Sequence, residues 1–294
     1  EEVARRMAER LELIRLPVRA WADWEPARGG LRGHERVIAQ YPDAQCFRVS
    51  VQHQQAPEAP KKIATGWWQR LRGGRAGATD VVQPPDASVQ LVWANMLAHQ
   101  VAEPTALMAD WLRAQDGAAL ASATLINNAG VIPAIVPLRD ADPAELASAL
   151  RVGLEAPMQL CAAFLSATRD WRGARRVLNI SSGLGRRAMG SQAAYCAAKA
   201  GMDHFTRCLA LDEARLPNGA RVCSLAPGVI DTDMQVQLRG ADAAAFPDRG
   251  SFEQLKQGGA LSSPRDAAHR VLAWLDRADF GANPVADVRD AAPT

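Results

Sequence analysis

Residues 176–205 read RVLNISSGLGRRAMGSQAAYCAAKAGMDHF, and this stretch decides the fold. Arg176 to Ile180 is a short apolar run that predicts a buried strand, and a glycine-bearing loop follows it. The alanine-rich segment from about Gln192 to Ala214 predicts a long helix. A strand, a loop and a helix in this order form the repeating unit of α/β proteins.

The same alternation extends through the second part of the chain. Asp142 as N-cap and Pro143 behind it predict the start of one helix, and Ser263 with Pro264 predicts the start of another. Further buried strands are predicted at Ala123 to Asn127, Val222 to Leu225 and Val285 to Val288. The pattern therefore predicts the α/β class.

Composition limits the classes of function. The 294 residues are 48% apolar and 22% charged with a formal net charge of +2, which gives no electrostatic reason to expect nucleic acid or a membrane surface as partner. The five cysteines show no CxxC spacing, and no apolar run reaches the length of a membrane span. We expect a cytoplasmic protein without a metal site.

The chain divides into two unlike parts. Six of the eight tryptophans lie in the first 111 residues, whereas the rest is rich in alanine. Residues 18–24, 46–51 and 89–94 predict strands in the first part, and residues 52–75 predict a loop. We expect one domain over residues 1–112 and a second over residues 113–294.

Tyr195 and Lys199 carry the clearest chemistry. Four residues apart on a helix, their side chains share one face, and an ammonium group near a phenol is expected to lower the phenol pKa. Ser182 follows a strand, where open α/β sheets place their ligands, and its hydroxyl could bind a carbonyl oxygen. An isolated tyrosine–lysine pair is more often an ordinary solvated pair on a helix.

Three further motifs occur in order with the pair: NNAG at 127–130, NISS at 179–182 and PGVIDT at 227–232. With these motifs, residues 105–290 resemble the short-chain dehydrogenase/reductase family. Details of the later sequence are most similar to the carbonyl reductase branch that includes sepiapterin-type and benzil-type reductases. The resemblance implies a doubly wound parallel sheet, which is a Rossmann-like three-layer sandwich.

The resemblance also implies roles for residues. Tyr195 would be the general acid or base, Lys199 would bind the nicotinamide ribose and depress the tyrosine pKa, and Ser182 would polarise the substrate. These three residues are the catalytic candidates. The candidates for cofactor binding are Asn128, Ala129, Gly130, Tyr195, Lys199, Pro227, Gly228, Ile230 and Thr232.

Two features depart from the family pattern. Gly153 stands where family members usually carry an asparagine that orders a water for proton relay. The family's first strand is followed by TGxxxGxG, whose backbone N–H groups hold the pyrophosphate, and this motif is not found in the chain. The second departure puts cofactor binding in question.

Residues 3–112 resemble the start of a class I S-adenosylmethionine-dependent methyltransferase of the branch related to biotin-pathway enzymes. The matching segments are ARRMAERLELIRLP, ADWEPARGG and PDASVQLVWANMLAHQVAEP. The usual acidic residue followed by Gly-x-Gly-x-Gly is absent. Two half-domains of this kind could complete one hybrid sheet, because both families use a right-handed doubly wound order.

The sequence therefore predicts NAD(P)-dependent hydride transfer to or from a small carbonyl or alcohol substrate, with NADP favoured over NAD. The alternatives are a non-catalytic chimera without cofactor and, third, a methyltransferase. A homo-oligomer is left open.

Overall fold

The computed structural model describes residues 18–24, 31–50, 78–89, 91–93, 103–115, 117–118 and 120–291. The chain forms two compact units. Unit 1 contains residues 1–120 and 166–171, and unit 2 contains residues 121–165 and 172–294. Each unit is described by itself.

Unit 1 holds a four-stranded parallel sheet in the order β3-β2-β1-β4. The strands are β1 (Ala20–Trp24), β2 (Gln45–Val49), β3 (Ala78–Val81) and β4 (Leu91–Trp93). The helices are α1 (Leu31–Gln40) and α2 (Pro104–Ala114).

The core of unit 1 is built from both faces of its central strand. Trp21 packs with Val37 of α1 and Cys46 of β2, while Trp24 packs with Leu107 of α2 in a second cluster. A strand buried on both faces is typical of a parallel sheet covered by helices.

Unit 2 holds a second four-stranded parallel sheet, in the order β5-β6-β7-β8. Its strands are β5 (Ser122–Asn127), β6 (Ala174–Ile180), β7 (Arg221–Ala226) and β8 (Val285–Asp287). The register sets Asn127 opposite Asn179 and Asn179 opposite Ser224, so the carboxyl ends of the strands meet at one edge.

The helices of unit 2 begin where the caps predict. Asp142 accepts a hydrogen bond from the Ala144 N–H, and Ser263 accepts one from the Asp266 N–H. The helices are α3 (Pro143–Leu150), α4 (Ala156–Ala167, whose last residues belong to unit 1), α5 (Ala193–Glu213), α6 (Asp233–Gly240), α7 (Arg249–Gln257) and α8 (Pro264–Leu275). A π-helical turn, Arg151–Glu155, separates α3 from α4.

A buried chain of polar side chains joins the sheet of unit 2 to α5. The Asn127 amide donates to Asn179 Oδ1 at 2.8 Å, and the Asn179 amide donates to Thr206 Oγ1 at 2.9 Å. Thr206 donates in turn to the Met202 carbonyl at 2.8 Å. Buried polar groups need such partners, so the chain of bonds fixes α5 in one position on the sheet.

The α/β class and the parallel, doubly wound arrangement are confirmed. Strand β3 was not predicted, because three of its four residues are exposed and its sequence shows no apolar alternation. The hybrid sheet and the division at residue 112 stay predictions. The predicted loop over residues 52–75 lies outside the described residues. Among the described residues, no helix combines the length and apolar character needed to span a bilayer.

We predict that Thr206→Val lowers the free energy of unfolding by about 1–3 kcal/mol, because the buried Asn179 amide loses its acceptor. The measurement is urea unfolding followed by circular dichroism. Thr124→Val, the same substitution at an exposed position of β5, is the control and is expected to change stability by less than about 0.5 kcal/mol. Equal midpoints for the two variants would contradict the prediction.

Candidate active site

The candidate residues of unit 2 gather at the carboxyl edge of its sheet. The NNAG, NISS and PGVIDT motifs continue β5, β6 and β7, and these three strands are neighbours in the sheet. The Ser181 N–H donates to the Leu225 carbonyl at 2.9 Å, which extends the pairing of β6 and β7 beyond the strand end. Ser182 is therefore held at a defined place on this edge.

Helix α5 brings Tyr195 and Lys199 to the same edge. Ala194 and Ala198 are buried on the helix, and a Cβ at Gly153 would lie only 2.9 Å from the Ala198 Cβ. Only small side chains permit such a close approach of two helical segments. The helix therefore lies deep against the unit, and Tyr195 and Lys199 are 8% and 4% exposed.

Ser182 caps the short 3₁₀ turn Gly183–Gly185, where its Oγ accepts from the Leu184 N–H at 3.2 Å. Burial raises the pKa of Tyr195, and the nearby Ser182 hydroxyl acts in the opposite direction. The phenol is therefore protonated at neutral pH.

The Lys199 amine donates to the Ile180 carbonyl at 2.7 Å and lies 5.8 Å from the centre of the Tyr195 ring. Burial lowers the pKa of Lys199 to about 8, and the Asp203 carboxylate acts in the opposite direction. The amine thus loses its proton more readily than an exposed lysine.

The expected lowering of the tyrosine pKa is not what the structure shows. The spacing of Tyr195 and Lys199 is helical as predicted, but both side chains are removed from water. Burial disfavours the charged form of each group, which is phenolate for tyrosine and ammonium for lysine. The desolvation of the phenol outweighs the effect of its neighbours.

The residues predicted to bind a cofactor lie at two strand ends. Asn128, Ala129 and Gly130 follow β5 and are exposed, while Pro227 and Gly228 follow β7. Gly228 has a φ of +82°, a left-handed conformation that favours glycine. Ile230 pairs with Ser262 in an isolated bridge, and Thr232 precedes α6, with its hydroxyl 3.5 Å from the Ile230 carbonyl oxygen.

The edge fits the nicotinamide and ribose of a dinucleotide. A Cβ at Gly130 would begin 3.7 Å from the Lys199 amine, so glycine leaves the approach to the amine open. A buried cation beside exposed, small residues suits a ribose hydroxyl and a flat ring. Residues 25–30, which belong to the ADWEPARGG segment, lie outside the described residues.

An apolar cluster joins the segment after β5 to α6, α7 and the residues between these two helices. Phe246, Phe252, Leu238 and Ile135 form its buried centre, with Met189 and Met234 packed against it. Phe246 is 0% exposed and stacks on Phe252, so its ring belongs to the core. Met189 and Met234 are two of the five partly exposed apolar residues of this cluster, and the others are Ile132, Ala241 and Leu255.

A group of polar residues behind the site was not predicted from the sequence. Asp203 is 2% exposed, and its carboxylate accepts hydrogen bonds from Ser181, Ser224 and Arg186. The available signal was an acidic residue one helical turn after Lys199, on the face that carries Tyr195. The described residues contain no group of three metal-binding side chains.

Known proteins resemble the chain over this part. Residues 118–243 match the family model for short chain dehydrogenases. A benzil reductase ((S)-benzoin forming) of Bacillus cereus is 35% identical over 161 residues, which are 55% of this chain and 65% of the relative. A sepiapterin reductase of Bos taurus is 33% identical over 172 residues, 56% of this chain and 61% of the relative. The chain thus spans less than two thirds of the length of these relatives.

Solved structures agree on the fold. The chain is similar to the KRED1-Pglu enzyme with a TM-score of 0.56 and 21% identity, over 91% of this chain and 99% of that one. At this identity the likeness concerns the fold alone.

We predict that Gly153→Ala destabilises the protein by about 1–3 kcal/mol, because its Cβ would collide with that of Ala198. Adding Ala198→Gly should recover part of the loss, so that the double variant is more stable than the sum of the single effects implies. Thermal unfolding measures all three variants. Gly250→Ala in α7, where a Cβ would meet open space, is the control. Strict additivity of the two changes would refute the predicted collision.

We predict that Lys199→Met stabilises the protein by a few kcal/mol at pH 7. The pKa of Lys199 is about 8 in the folded state, below the ordinary 10.5. The charged amine therefore lowers the free energy of unfolding. This destabilisation is fully present below pH 8 and disappears as the pH rises to about 10.5. Chemical unfolding of both proteins from pH 7 to 10.5 should show the advantage of the variant shrinking, whereas a constant difference would contradict the burial effect.

Proposed function

We propose that the protein is an NAD(P)-dependent oxidoreductase acting on a small carbonyl or alcohol, since residues 118–243 match the family model for short chain dehydrogenases. The observation that carries the proposal is the gathering of Ser182, Tyr195 and the Lys199 amine at the carboxyl edge of the sheet, where Ser182 acts on the Tyr195 pKa and the amine lies 5.8 Å from the centre of the Tyr195 ring. An acid, a polar orienting group and a cation then surround the place for one carbonyl.

In the direction of reduction, Ser182 binds the carbonyl oxygen and Tyr195 gives that oxygen its proton. The raised pKa of Tyr195 keeps the phenol protonated at neutral pH, which suits a general acid. In the reverse direction the phenolate would accept the proton of an alcohol. Ser182 keeps the substrate oxygen within reach of the phenol in both directions.

Lys199 would hold a ribose hydroxyl of the cofactor and stabilise the phenolate after proton transfer. Its amine donates a hydrogen bond to the Ile180 carbonyl, which fixes the position of the amine at the end of β6. Asn128, Ala129, Gly130, Pro227, Gly228, Ile230 and Thr232 would line the cofactor cleft. The nicotinamide cofactor, NADP in preference to NAD, supplies the hydride.

We assign the substrate to apolar carbonyl compounds, as in the carbonyl reductase branch. Met189 and Met234 support this, since a flexible thioether adapts to varied apolar ligands. Two relatives are named as a benzil reductase ((S)-benzoin forming) and a sepiapterin reductase, in keeping with a carbonyl substrate.

We further propose that residues 1–112 form a methyltransferase-like half-domain. The parallel order β3-β2-β1-β4 is that of one half of a doubly wound sheet, which such a half-domain requires. Calorimetric titration with S-adenosylmethionine tests whether unit 1 kept the cofactor site as well as the strands. Tight binding would favour a methyltransferase activity over the oxidoreductase.

We place the protein in a reducing compartment, the cytoplasm. All five cysteines are free, and Cys46, Cys161 and Cys223 are buried, where thiols pack as small apolar side chains.

We predict that Tyr195→Phe lowers the rate of carbonyl-dependent NADPH oxidation by about 10²–10⁴-fold, because the general acid is lost. The measurement is absorbance of NADPH with a diketone substrate. The chain has one other tyrosine, so Tyr41→Phe is the matched control and should keep the wild-type rate.

Titration of NADPH fluorescence separates an inactive chimera from an enzyme with an untested substrate. Saturable binding to both Tyr195→Phe and the wild type is expected. The proposed function is wrong when Tyr195→Phe and the wild type oxidise NADPH equally fast, or when the wild type binds no cofactor.

A further inference from the structure

A buried carboxylate lies directly behind the proposed acid and lysine. Asp203 follows Lys199 by one turn of α5 and is 2% exposed. The hydroxyls of Ser181 and Ser224 each donate to Asp203 Oδ1 at 2.6 Å, and Arg186 Nε donates to Oδ2 at 3.2 Å. Asp203, Ser181, Ser224 and Arg186 have no role in the proposed mechanism.

We propose that Asp203 is a positioning residue, which ties the Ser182 strand end to α5 and supplies the counter charge of Lys199. This inference rests on the proposed function. It extends that function by naming a residue that acts through the serine and the lysine without touching substrate.

The first part of the role is mechanical. Ser181 precedes Ser182, so a bond from the Ser181 hydroxyl to Asp203 sets the distance between the Ser182 backbone and the helix that carries Tyr195. Ser224 brings β7 to the same oxygen. One carboxylate oxygen therefore joins β6, β7 and α5 behind the site.

The loop after Ser182 is held by the second oxygen. Arg186 bridges Asp203 and the Ala286 carbonyl of β8, which its Nη2 reaches at 2.8 Å. A Cβ at Gly185 would lie 2.9 Å from Asp203 Oδ2, so the loop passes close over the carboxylate. Because Ser182 begins this loop, its orientation depends on the same anchor.

The second part of the role is electrostatic. Asp203 is the charged group whose field favours the protonated form of Lys199, against the effect of burial. Tyr195 on the same helix and the Ile180 carbonyl also face the amine. Arg186 forms an ion pair with Asp203 and so partly neutralises its carboxylate. Arg186 also acts electrostatically on Asp287 of β8.

If Asp203 is only a structural anchor, removing the charge of Asp203 or of Arg186 should not shift the Lys199 pKa in opposite directions. If Asp203 is the counter charge of Lys199, the two changes should do so. Asp203→Asn keeps the shape but removes the negative charge, so Lys199 should lose its proton at lower pH. Arg186→Gln removes the competing cation, so Lys199 should keep its proton to higher pH. Opposite shifts of the Lys199 pKa in the two variants would not arise from a structural anchor alone.

The test is trace labelling of amines with acetic anhydride across pH 6–11, with the Lys199 peptide quantified by mass spectrometry. The chain has only four lysines, at 61, 62, 199 and 256, so the Lys199 peptide is readily distinguished. Asp212→Asn, an exposed aspartate on the same helix, is the matched control. The Lys199 midpoint should fall by about half a unit to one unit in Asp203→Asn, rise by less in Arg186→Gln, and stay in Asp212→Asn.

Labelling needs no substrate, so the result stands whether or not the wild type reduces carbonyls. Where the wild type is active, the loss of kcat/KM at high pH should move with the labelling midpoint in each variant. Lys199 midpoints that are unchanged, or that move in the same direction in both variants, overturn the inference. Should Asp203→Asn fail to fold by circular dichroism, a midpoint in Arg186→Gln that does not rise overturns it alone.

Discussion

The close approach of α5 to its neighbours is the constraint on which the site depends. Gly153 lies against Ala198, and a Cβ at Gly201 would come within 2.9 Å of the Leu154 side chain. Because the contact surface is made of small residues, the helix can sink until Tyr195 meets Ser182 and Lys199 reaches the Ile180 carbonyl. A bulkier helix would hold the same side chains away from the strand ends.

That depth has an energetic cost, because polar groups lose water. Lys199, Asp203 and Asn179 are all nearly inaccessible, and each is satisfied by partners from a neighbouring element. Apolar burial around Leu178 and Leu225 offsets the cost. The site is thus a polar layer set between α5 and an apolar sheet, and the depressed lysine pKa is a direct result of its position.

Local signals predicted much of unit 2. Asp142 and Ser263 cap helices through bonds to residues two or three positions away, so the sequence contains the whole interaction. The apolar runs predicted strands β5, β6 and β7. The expectation that β5 is buried was wrong, because Asn127 is its only buried residue and Ile126 is exposed at the sheet edge. Strand β3 was missed because its pairing with β2 is non-local and its residues are exposed. The π-helical turn at Gly153 likewise follows from packing against α5 and has no local signature.

Periodicity and spacing along the chain were enough to predict the α/β class and the order of elements in unit 2. They also placed Ser182 at a strand end and Tyr195 and Lys199 on one helix face. Three properties became visible in the folded chain alone: burial raises the tyrosine pKa, Phe246 belongs to the core, and Asp203 lies behind the lysine. Desolvation and hydrogen bonding depend on residues distant in sequence, and no local pattern encodes them.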